Sequence, residues 1–222
     1  MSLQSGRNLK MSRIVAIMPI KLNNERLPGK NTMLLGGKPL LCHELDTLKE
    51  ISELDGIYVY CSDASVRDFL PDGIALKTRD RMLDLPTSNF TQIFDAFMKE
   101  ERADIYVYAH ATAPFIKKET MDECIRAVTS GEYDSAFCAS KIQDFLWQNG
   151  EALNFDAENI PRSQDLAPIY RETSGIYVFT RKVFEKYRRR VGQNPYIKEV
   201  SFRESIDINT PEDFEIAERF FS

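Results

Sequence analysis

A short cationic stretch directly follows an apolar run near the start of the chain. Residues 21–31, KLNNERLPGKN, contain three cationic side chains, one carboxylate, three Asn and a single Gly, and they follow the run IVAIMPI at residues 14–20. Backbone N–H groups in a tight turn, together with a Lys, can hold phosphate oxygens. Cationic loops are often only solvated surface, but Gly29 beside Lys30 and the stiffening Pro28 favour an anion-binding turn here. Neither G-x-x-x-x-G-K-[ST] nor G-x-G-x-x-G is present.

The composition predicts an ordinary soluble protein of the reducing cytoplasm. The chain has 222 residues, of which 43% are hydrophobic and 28% charged, with a net charge of −5. An acidic chain argues against a nucleic-acid groove or an anionic membrane as partner. No apolar run approaches the ~20 residues that cross a membrane. The four cysteines form no CxxC pair and are predicted to be free thiols, not zinc ligands.

The first residues are predicted to lie outside the fold. Residues 1–12, MSLQSGRNLKMS, lack the apolar centre of a signal peptide and read as a tag or a disordered tail. The length of the remainder, residues 13–222, fits one large α/β domain.

Strand and helix patterns alternate through the first 140 residues. Several short runs are apolar at successive positions, as in strands that are covered on both faces. Such strands are predicted at residues 14–20, 57–61, 74–78, 104–110 and 135–140. Helices are predicted over 39–51 and 118–129 and around 90–98, the last with Thr87 or Ser88 as its cap. This alternation predicts a mostly parallel sheet with ligands beyond the carboxyl ends of its strands.

The pattern changes after residue 141. The segment QDFLWQNGEALNFD, residues 143–156, has an Asn-Gly pair between two short runs and predicts a hairpin. Two further strands are predicted at 174–180 and 196–202, with a helix over 181–190 between them. The sequence TPED at 210–213 predicts the start of a last helix, with Thr as the cap and Pro at the first helical position.

Six segments carry a family resemblance. In chain order they are IMPIKLNNERLPGKN, GGKPLLCHELDTL, YVYCSD, HATAPF, RETSGIYVF and SIDINTPEDFEIAE. In order and spacing they resemble the signatures of the cytidylyltransferases that activate acidic 2-keto sugars. These are the acylneuraminate (CMP-sialic acid synthetase-like) enzymes and, more distantly, the 3-deoxy-manno-octulosonate enzymes.

The resemblance implies a fold, a reaction and an assembly. The fold is a Rossmann-like, GT-A-like nucleotidyltransferase fold, with a mostly parallel α/β sheet between two layers of helices and a hairpin extension near residues 142–170. The reaction joins CTP and an acidic sugar such as an N-acylneuraminate or related nonulosonate, giving a CMP-sugar and pyrophosphate. Negative charge spreads over the phosphate oxygens in the transition state, so cations and a divalent metal stabilise it. A homodimer formed through the extension is expected.

The resemblance also implies the residues that bind the nucleotide. They are Lys21, Asn24, Arg26, Lys30, Asn31 and Arg79. Lys30 matches a phosphate-binding Lys, and Lys21 stands where family members usually have Arg, which keeps the charge but loses the planar fork. Lys30, Lys21 and Asp207 are the expected catalytic residues.

Magnesium is the expected cofactor. Asp207 matches the first carboxylate of the family's D-x-D ending, whereas the second position is Asn209. Residues two apart in a strand share a face, so both are predicted metal ligands. The amide keeps an oxygen but removes a charge, which predicts weaker metal affinity or a single-ion site. Alternatively, both side chains only prepare the cap at Thr210.

The acidic sugar is expected to contact a further set of residues. They are His110, Thr112, Arg162, Gln164 and Arg171. His110 replaces a family Gln, and an Arg fork suits a carboxylate. For the segment that holds Arg162, Gln164 and Arg171, a polar surface loop with ordinary salt bridges is the alternative. Ile116 also departs from the family pattern, where an Arg is usual. Two alternatives therefore stay open: the same fold acting on another sugar or nucleotide, or a catalytically silent homologue that only binds nucleotide or sugar.

Overall fold

The computed structural model describes residues 12–221. In chain order its strands are β1 (Ile14–Ile20), β2 (Leu34–Leu35), β3 (Lys38–Pro39), β4 (Gly56–Cys61), β5 (Ala75–Thr78), β6 (Ile105–Ala109), β7 (Ser135–Ile142), β8 (Trp147–Gln148), β9 (Glu151–Ala152), β10 (Ile169–Thr180) and β11 (Pro195–Glu199). Its α-helices are α1 (Leu40–Lys49), α2 (Phe90–Glu100), α3 (Lys118–Thr129), α4 (Arg181–Tyr187) and α5 (Pro211–Glu218).

Seven of these strands form one central sheet in the order β11-β7-β10-β6-β1-β4-β5. Only β10 runs antiparallel to its neighbours, while the other pairs are parallel. The predicted mostly parallel α/β sheet is therefore confirmed. The chain moves outward from β1 to β4 and β5 and then returns to β6 on the other side of β1. The strand order reverses beside β1, and in open parallel sheets such a reversal opens a crevice at the carboxyl ends of the strands.

Apolar layers cover both faces of the sheet. Along β1, Ala16 and Met18 belong to one buried cluster, whereas Val15 and Ile17 belong to the other. Successive side chains of a strand point to opposite faces, so a run that is apolar at every position must be buried on both. The second cluster is largely aromatic, and Phe94 of α2 is fully buried within it. The continuous apolar run after residue 13 is thus explained by two helical layers.

Several predicted boundaries change in the structure. Helix α2 is capped by Asn89, not by Thr87 or Ser88, and Gln92 completes a capping box with it. Strand β11 ends at Glu199 instead of residue 202. Strand β10 begins at Ile169, five residues before the prediction, because it pairs with β7 on both sides of an irregularity between Glu172 and Tyr177.

The predicted Asn-Gly hairpin is confirmed. Strands β8 and β9 pair antiparallel, and Asn149 and Gly150 between them have φ values of 53° and 85°. Two consecutive left-handed residues are the requirement of the tight turn that Asn-Gly favours. The expected tail, residues 1–12, lies outside the described residues apart from Ser12. No helix in the described part of the chain has the length and apolar character needed to span a membrane.

Helix α5 begins as the sequence predicts. The Thr210 hydroxyl accepts a hydrogen bond from the N–H of Asp213 at 3.3 Å, and the Asp213 carboxylate accepts from the N–H of Thr210 at 2.8 Å. The same carboxylate accepts from the N–H of Asn209 at 2.9 Å. Burial opposes ionisation of Asp213, but these hydrogen bonds outweigh it and lower its pKa. The cap therefore fixes the backbone just before α5.

One acidic side chain lies fully inside the fold. Glu44, on the inner side of α1, has no exposed surface, and neither carboxylate oxygen has a hydrogen-bond partner. Burial raises its pKa well above the ordinary value, because an unpaired carboxylate is costly in an apolar environment.

Replacing Glu44 should therefore stabilise the protein in a pH-dependent way. The unfolded carboxyl ionises near pH 4.3, at about its ordinary pKa, whereas the folded one holds its proton to higher pH. Stability is thus lost as the pH rises above that value. We expect Glu44→Leu to raise the free energy of unfolding at pH 7.5 by roughly 2 kcal/mol, and by less at pH 4. Urea unfolding at both pH values measures this, with Glu44→Gln as the isosteric control. Equal effects of Glu44→Leu at both pH values would contradict the burial of an ionisable group.

Candidate functional site

Three segments meet at the carboxyl edge of the sheet, and Ile208 joins them. Its backbone N–H donates to the carbonyl of Thr112 in the loop after β6, at 2.8 Å. Its own carbonyl accepts a hydrogen bond from Nζ of Lys30, in the loop after β1, at 2.9 Å. The Ile208 side chain is fully buried in a small apolar cluster with Leu35 and Phe214. The C-terminal segment is thereby held against both loops.

The loop after β1 surrounds a cationic cavity of about 310 Å³. Its lining consists of Lys21, Asn24, Glu25, Arg26, Leu27 and Lys30. Gly29 has a φ of 68°, a backbone conformation in which residues with a side chain are strained. The buried amide of Asn31 donates to the carbonyl of Lys21 at 2.9 Å and ties the two ends of the loop together. Four of the six predicted nucleotide-binding residues therefore line one cavity, and Asn31 shapes it.

Lys30 is the buried cation of this cavity. Only 8% of the residue is exposed, and its ammonium donates to the carbonyl of Ile208 and, at 3.2 Å, to the amide oxygen of Asn209. Burial lowers the pKa of Lys30, and the charges of Arg26 and Lys21 act in the same direction. The charge of Asp207 opposes them. An anion entering the cavity would relieve this crowding of positive charge.

Asp207 and Asn209 contact each other, but not as neighbours in a strand. Residues 206–209 have no regular secondary structure, which corrects the strand geometry expected there. The Asn209 amide N–H donates to Oδ2 of Asp207 at 2.7 Å. Its amide oxygen accepts from Lys30 and, at 2.8 Å, from the guanidinium of Arg26. The oxygen predicted to ligate metal is thus engaged by two cations.

Asp207 fits the role of a metal ligand. Its Oδ1 is buried and has no hydrogen-bond partner, whereas buried polar atoms are nearly always paired. Mg²⁺ is commonly held by one or two carboxylates together with substrate phosphates and waters. Between residues 12 and 221, no group of three or more His, Cys, Asp or Glu side chains is arranged to hold a metal ion.

A second cavity, of about 350 Å³, is lined in part by Asn209, whose amide oxygen accepts hydrogen bonds from Arg26 and Lys30 of the first cavity. Its lining consists of Arg171, Phe202, Ser205, Ile206, Asp207, Asn209, Asp213 and Ile216. Arg171 is held there by a hydrogen bond from its Nε to the hydroxyl of Ser140 at 3.1 Å. Phe202 and Ile216 are 74% and 49% exposed and form the apolar part of the lining. The cavity combines an acidic corner formed by Asp207 and Asp213, the guanidinium of Arg171, and an apolar wall formed by Phe202 and Ile216.

A third cavity, of about 300 Å³, follows β1 and β4. It is lined by Leu22, Asn23, Ser62, Asp63, Arg81 and Asp84. The predicted residue Arg79 is buried behind it and binds Asp84 through two nitrogens, at 3.1 and 2.6 Å. Arg79 therefore acts on this cavity through Asp84. The Ser-Asp pair that ends β4 was the sequence signal for this wall, but no role was assigned to it.

His110 and Thr112 lie at the end of β6. Burial lowers the pKa of His110 to about 4, the charge of Arg190 acts in the same direction, and Asp207 opposes both. The imidazole is therefore neutral near pH 7, and its buried Nδ1 has no hydrogen-bond partner. Arg190 lies over the ring of Tyr177, 3.6 Å from its centroid, and Tyr177 in turn contacts His110. Arg190 belongs to the run Arg188-Arg189-Arg190 directly after α4, a pattern that by itself indicates only cations that complement a helix dipole.

Arg162 and Gln164 are not brought to these cavities. Arg162 is ion-paired with Asp165 through two hydrogen bonds, at 2.7 and 2.9 Å, and its side chain is 72% exposed. Gln164 is exposed in the same short turn. Neither Arg162 nor Gln164 is among the described residues that line the three cavities. A local partner three residues away satisfies the guanidinium that was expected to bind substrate.

Comparison with known proteins agrees with this geometry. A family model described as cytidylyltransferase matches residues 15–221. The chain belongs to the cytidylyltransferase family. The resemblance seen in the six sequence segments is thereby confirmed.

Two relatives illustrate how far the similarity extends. An N-acylneuraminate cytidylyltransferase of Streptococcus agalactiae is 23% identical over 211 residues, which cover 90% of this chain and 51% of the relative. A CMP-N,N'-diacetyllegionaminic acid synthase of Legionella pneumophila is 27% identical over 232 residues, which cover 93% of this chain and 95% of the relative. The chain thus spans about half the length of the streptococcal relatives that it matches.

A solved structure shares the fold. It is a CMP:2-keto-3-deoxy-manno-octonic acid synthetase complexed with CTP, and it superposes with a TM-score of 0.70 at 18% sequence identity. The match covers 94% of this chain and 98% of the other. The predicted Rossmann-like nucleotidyltransferase fold is confirmed.

The environment of His110 makes a prediction for its titration. The chain has two histidines, so the imidazole signals in a ¹H–¹³C spectrum can be assigned with His110→Gln. We expect His110 to titrate near pH 4 and its pKa to rise in Arg190→Gln, because Arg190 holds it down. The pKa of His43, which burial also lowers, serves as the internal control. An ordinary pKa near 6.5 for His110 would contradict the buried position.

Proposed function

We propose that this chain is a nucleotidyltransferase that transfers CMP from CTP to an acidic 2-keto sugar and releases pyrophosphate. One observation carries the proposal. Asn209 lines the cavity of Asp207 and Arg171 and bonds directly to Arg26 and Lys30 of the cationic cavity, on the sheet edge where the strand order reverses. A triphosphate and a carboxylate-bearing acceptor are the ligands that suit two such cavities. The names of the family relatives support the same substrates.

The nucleotide occupies two of the cavities. Its phosphates lie in the cationic cavity, where Lys21, Arg26 and Lys30 neutralise their charge. Its base and ribose lie in the third cavity, against Asn23 and Asp84. This cavity is lined in part by the same loop after β1 that surrounds the cationic cavity. A protein of the same fold was solved in complex with CTP, which supports CTP as the nucleotide.

The transfer step follows from that arrangement. A hydroxyl oxygen of the sugar bonds to the α-phosphorus, the bond from that phosphorus to the bridging oxygen breaks, and pyrophosphate leaves with the electron pair. The hydroxyl proton passes to water. Lys30 and Lys21 stabilise the charge that builds up on the phosphate oxygens. Asp207 would hold Mg²⁺ through its unpartnered Oδ1, and the ion would add positive charge at the phosphates.

The second cavity receives the sugar. Arg171 is the guanidinium positioned for its carboxylate, and its neighbour Ser140 orients it. The apolar wall of Phe202 and Ile216 suits the methyl group of an acyl substituent better than a hydroxylated tail. An acylated nonulosonate therefore fits this cavity better than an unsubstituted octulosonate.

A homodimer and a cytoplasmic location complete the proposal. The extension near residues 142–170 exposes Trp147 by 60% and Leu153 by 53%, and exposed apolar clusters of this kind mark protein interfaces. Trp147 packs edge-on against Phe155, which gives the surface a rigid aromatic centre. All four cysteines are free and buried, as expected of a protein kept in a reducing compartment.

Pyrophosphate release tests the proposed reaction. With CTP, Mg²⁺ and an acidic sugar we expect turnover in the native protein. Lys30→Met should lower kcat/KM by about 100-fold or more, because a buried cation at the phosphates is lost. Lys49→Met, at the exposed end of α1, is the matched control and should change nothing. CTP binding without turnover across a broad sugar panel would indicate a binding homologue, and turnover only with another nucleotide would reassign the third cavity.

The apolar wall makes a separate prediction about the sugar. Phe202→Ser and Ile216→Gln should each raise the KM for an acetamido nonulosonate by about 4-fold, since burying one methylene-sized group stabilises a complex by ~0.8 kcal/mol. The KM for CTP should stay unchanged. Leu34→Ser, 61% exposed outside this cavity, is the control. Equal losses for an acetamido sugar and for an octulosonate would argue that the wall does not select the sugar.

A further inference from the structure

Asn209 lines the second cavity and bonds to two cations of the first, and both polar atoms of its side chain are engaged. The amide oxygen accepts from Arg26 at 2.8 Å and from Lys30 at 3.2 Å, and the amide N–H donates to Asp207 at 2.7 Å. Its backbone N–H donates to Asp213 at 2.9 Å. The orientation of the amide is determined, because the reversed one would set an N–H group against two cations and an oxygen against a carboxylate.

The neutrality of this side chain matters for the charges around it. A carboxylate at position 209 would form ion pairs with Arg26 and Lys30, and such pairs are stronger than hydrogen bonds to an amide oxygen. It would also face Asp207 across the contact that now measures 2.7 Å. Two carboxylates so close repel each other unless a cation or a proton lies between them. The present amide avoids both effects.

The amide also lets Arg26 and Lys30 exchange their hydrogen bonds to it for hydrogen bonds to a phosphate. Arg26 is exposed and Lys30 is buried, yet both donate to the same amide oxygen. A triphosphate oxygen is a charged acceptor, so it replaces a neutral amide oxygen with a net gain in hydrogen-bond strength. Replacing a carboxylate would bring no such gain.

We propose, on the basis of the proposed function, that Asn209 is a positioning residue that makes the cationic cavity ready for the nucleotide triphosphate without a divalent ion. It aligns Arg26 and Lys30 toward the cavity and holds Asp207 in place through its N–H group. Mg²⁺ would then be held by Asp207 alone, and its positive charge would act in the transfer step. The role thus differs from that of a second metal-binding carboxylate at position 209.

Titration of CTP in the absence of any sugar tests this role, because no reaction can occur. Calorimetry is performed on the native protein and on Asn209→Asp, each with EDTA and with Mg²⁺. We expect the native Kd in EDTA to lie within about 3-fold of its value in Mg²⁺. In Asn209→Asp we expect CTP to bind at least about 10-fold more weakly in EDTA, and Mg²⁺ to restore most of the loss.

Two further variants separate charge from position. Asn23→Asp adds the same charge at the wall of the third cavity, and its effect should be equal with and without Mg²⁺. Asn209→Leu removes the bridge without adding charge, so it should weaken CTP binding in both conditions. Thermal unfolding of each variant establishes that the fold is intact before binding is compared.

The outcomes distinguish this inference from the proposed function. If the native protein binds no CTP with or without Mg²⁺, the proposed function itself fails. If the native protein binds CTP only with Mg²⁺, or if Asn209→Asp binds as the native protein does in EDTA, the positioning role is overturned while the proposed function stands.

Discussion

The arrangement of the site depends on one buried ammonium group. Lys30 Nζ donates to the Ile208 carbonyl, which belongs to a segment 178 residues further along the chain, and to the amide oxygen of Asn209. Removing an ammonium from water is costly unless it is paired, so these contacts hold the loop after β1 against the C-terminal segment. The cationic cavity and the acidic corner are adjacent because of this contact.

The surroundings of Ile208 and Asn209 explain why their contact with the Lys30 ammonium is held firmly. Ile208 is fully buried and also bonds to Thr112, while the cap of α5 holds Asn209 through Asp213. The backbone of Ile208 and Asn209 that faces Lys30 is thus positioned by apolar packing and by a helix start in which the Asp213 carboxylate accepts backbone hydrogen bonds. An acidic protein, with a net charge of −5, can in this way concentrate cations in one place.

Sequence reasoning succeeded where the physics is local. The cap at Thr210, the Asn-Gly turn and the doubly buried strand β1 each depend on residues within a few positions of one another, and all three were predicted correctly. It did not decide between competing local partners. Asn89 stood closer to α2 than Thr87, and Asp165 satisfies the guanidinium of Arg162.

The sequence by itself determined the fold class, the family and the cationic loop that ends β1, because apolar periodicity and short motifs are properties of neighbouring residues. Only the tertiary structure decided which candidates meet. Arg26 and Asn209 are 183 residues apart, and Arg190 reaches His110 through Tyr177. Such contacts arise when separate elements pack together. A sequence pattern does not specify which residues, far apart in the chain, come close in the fold.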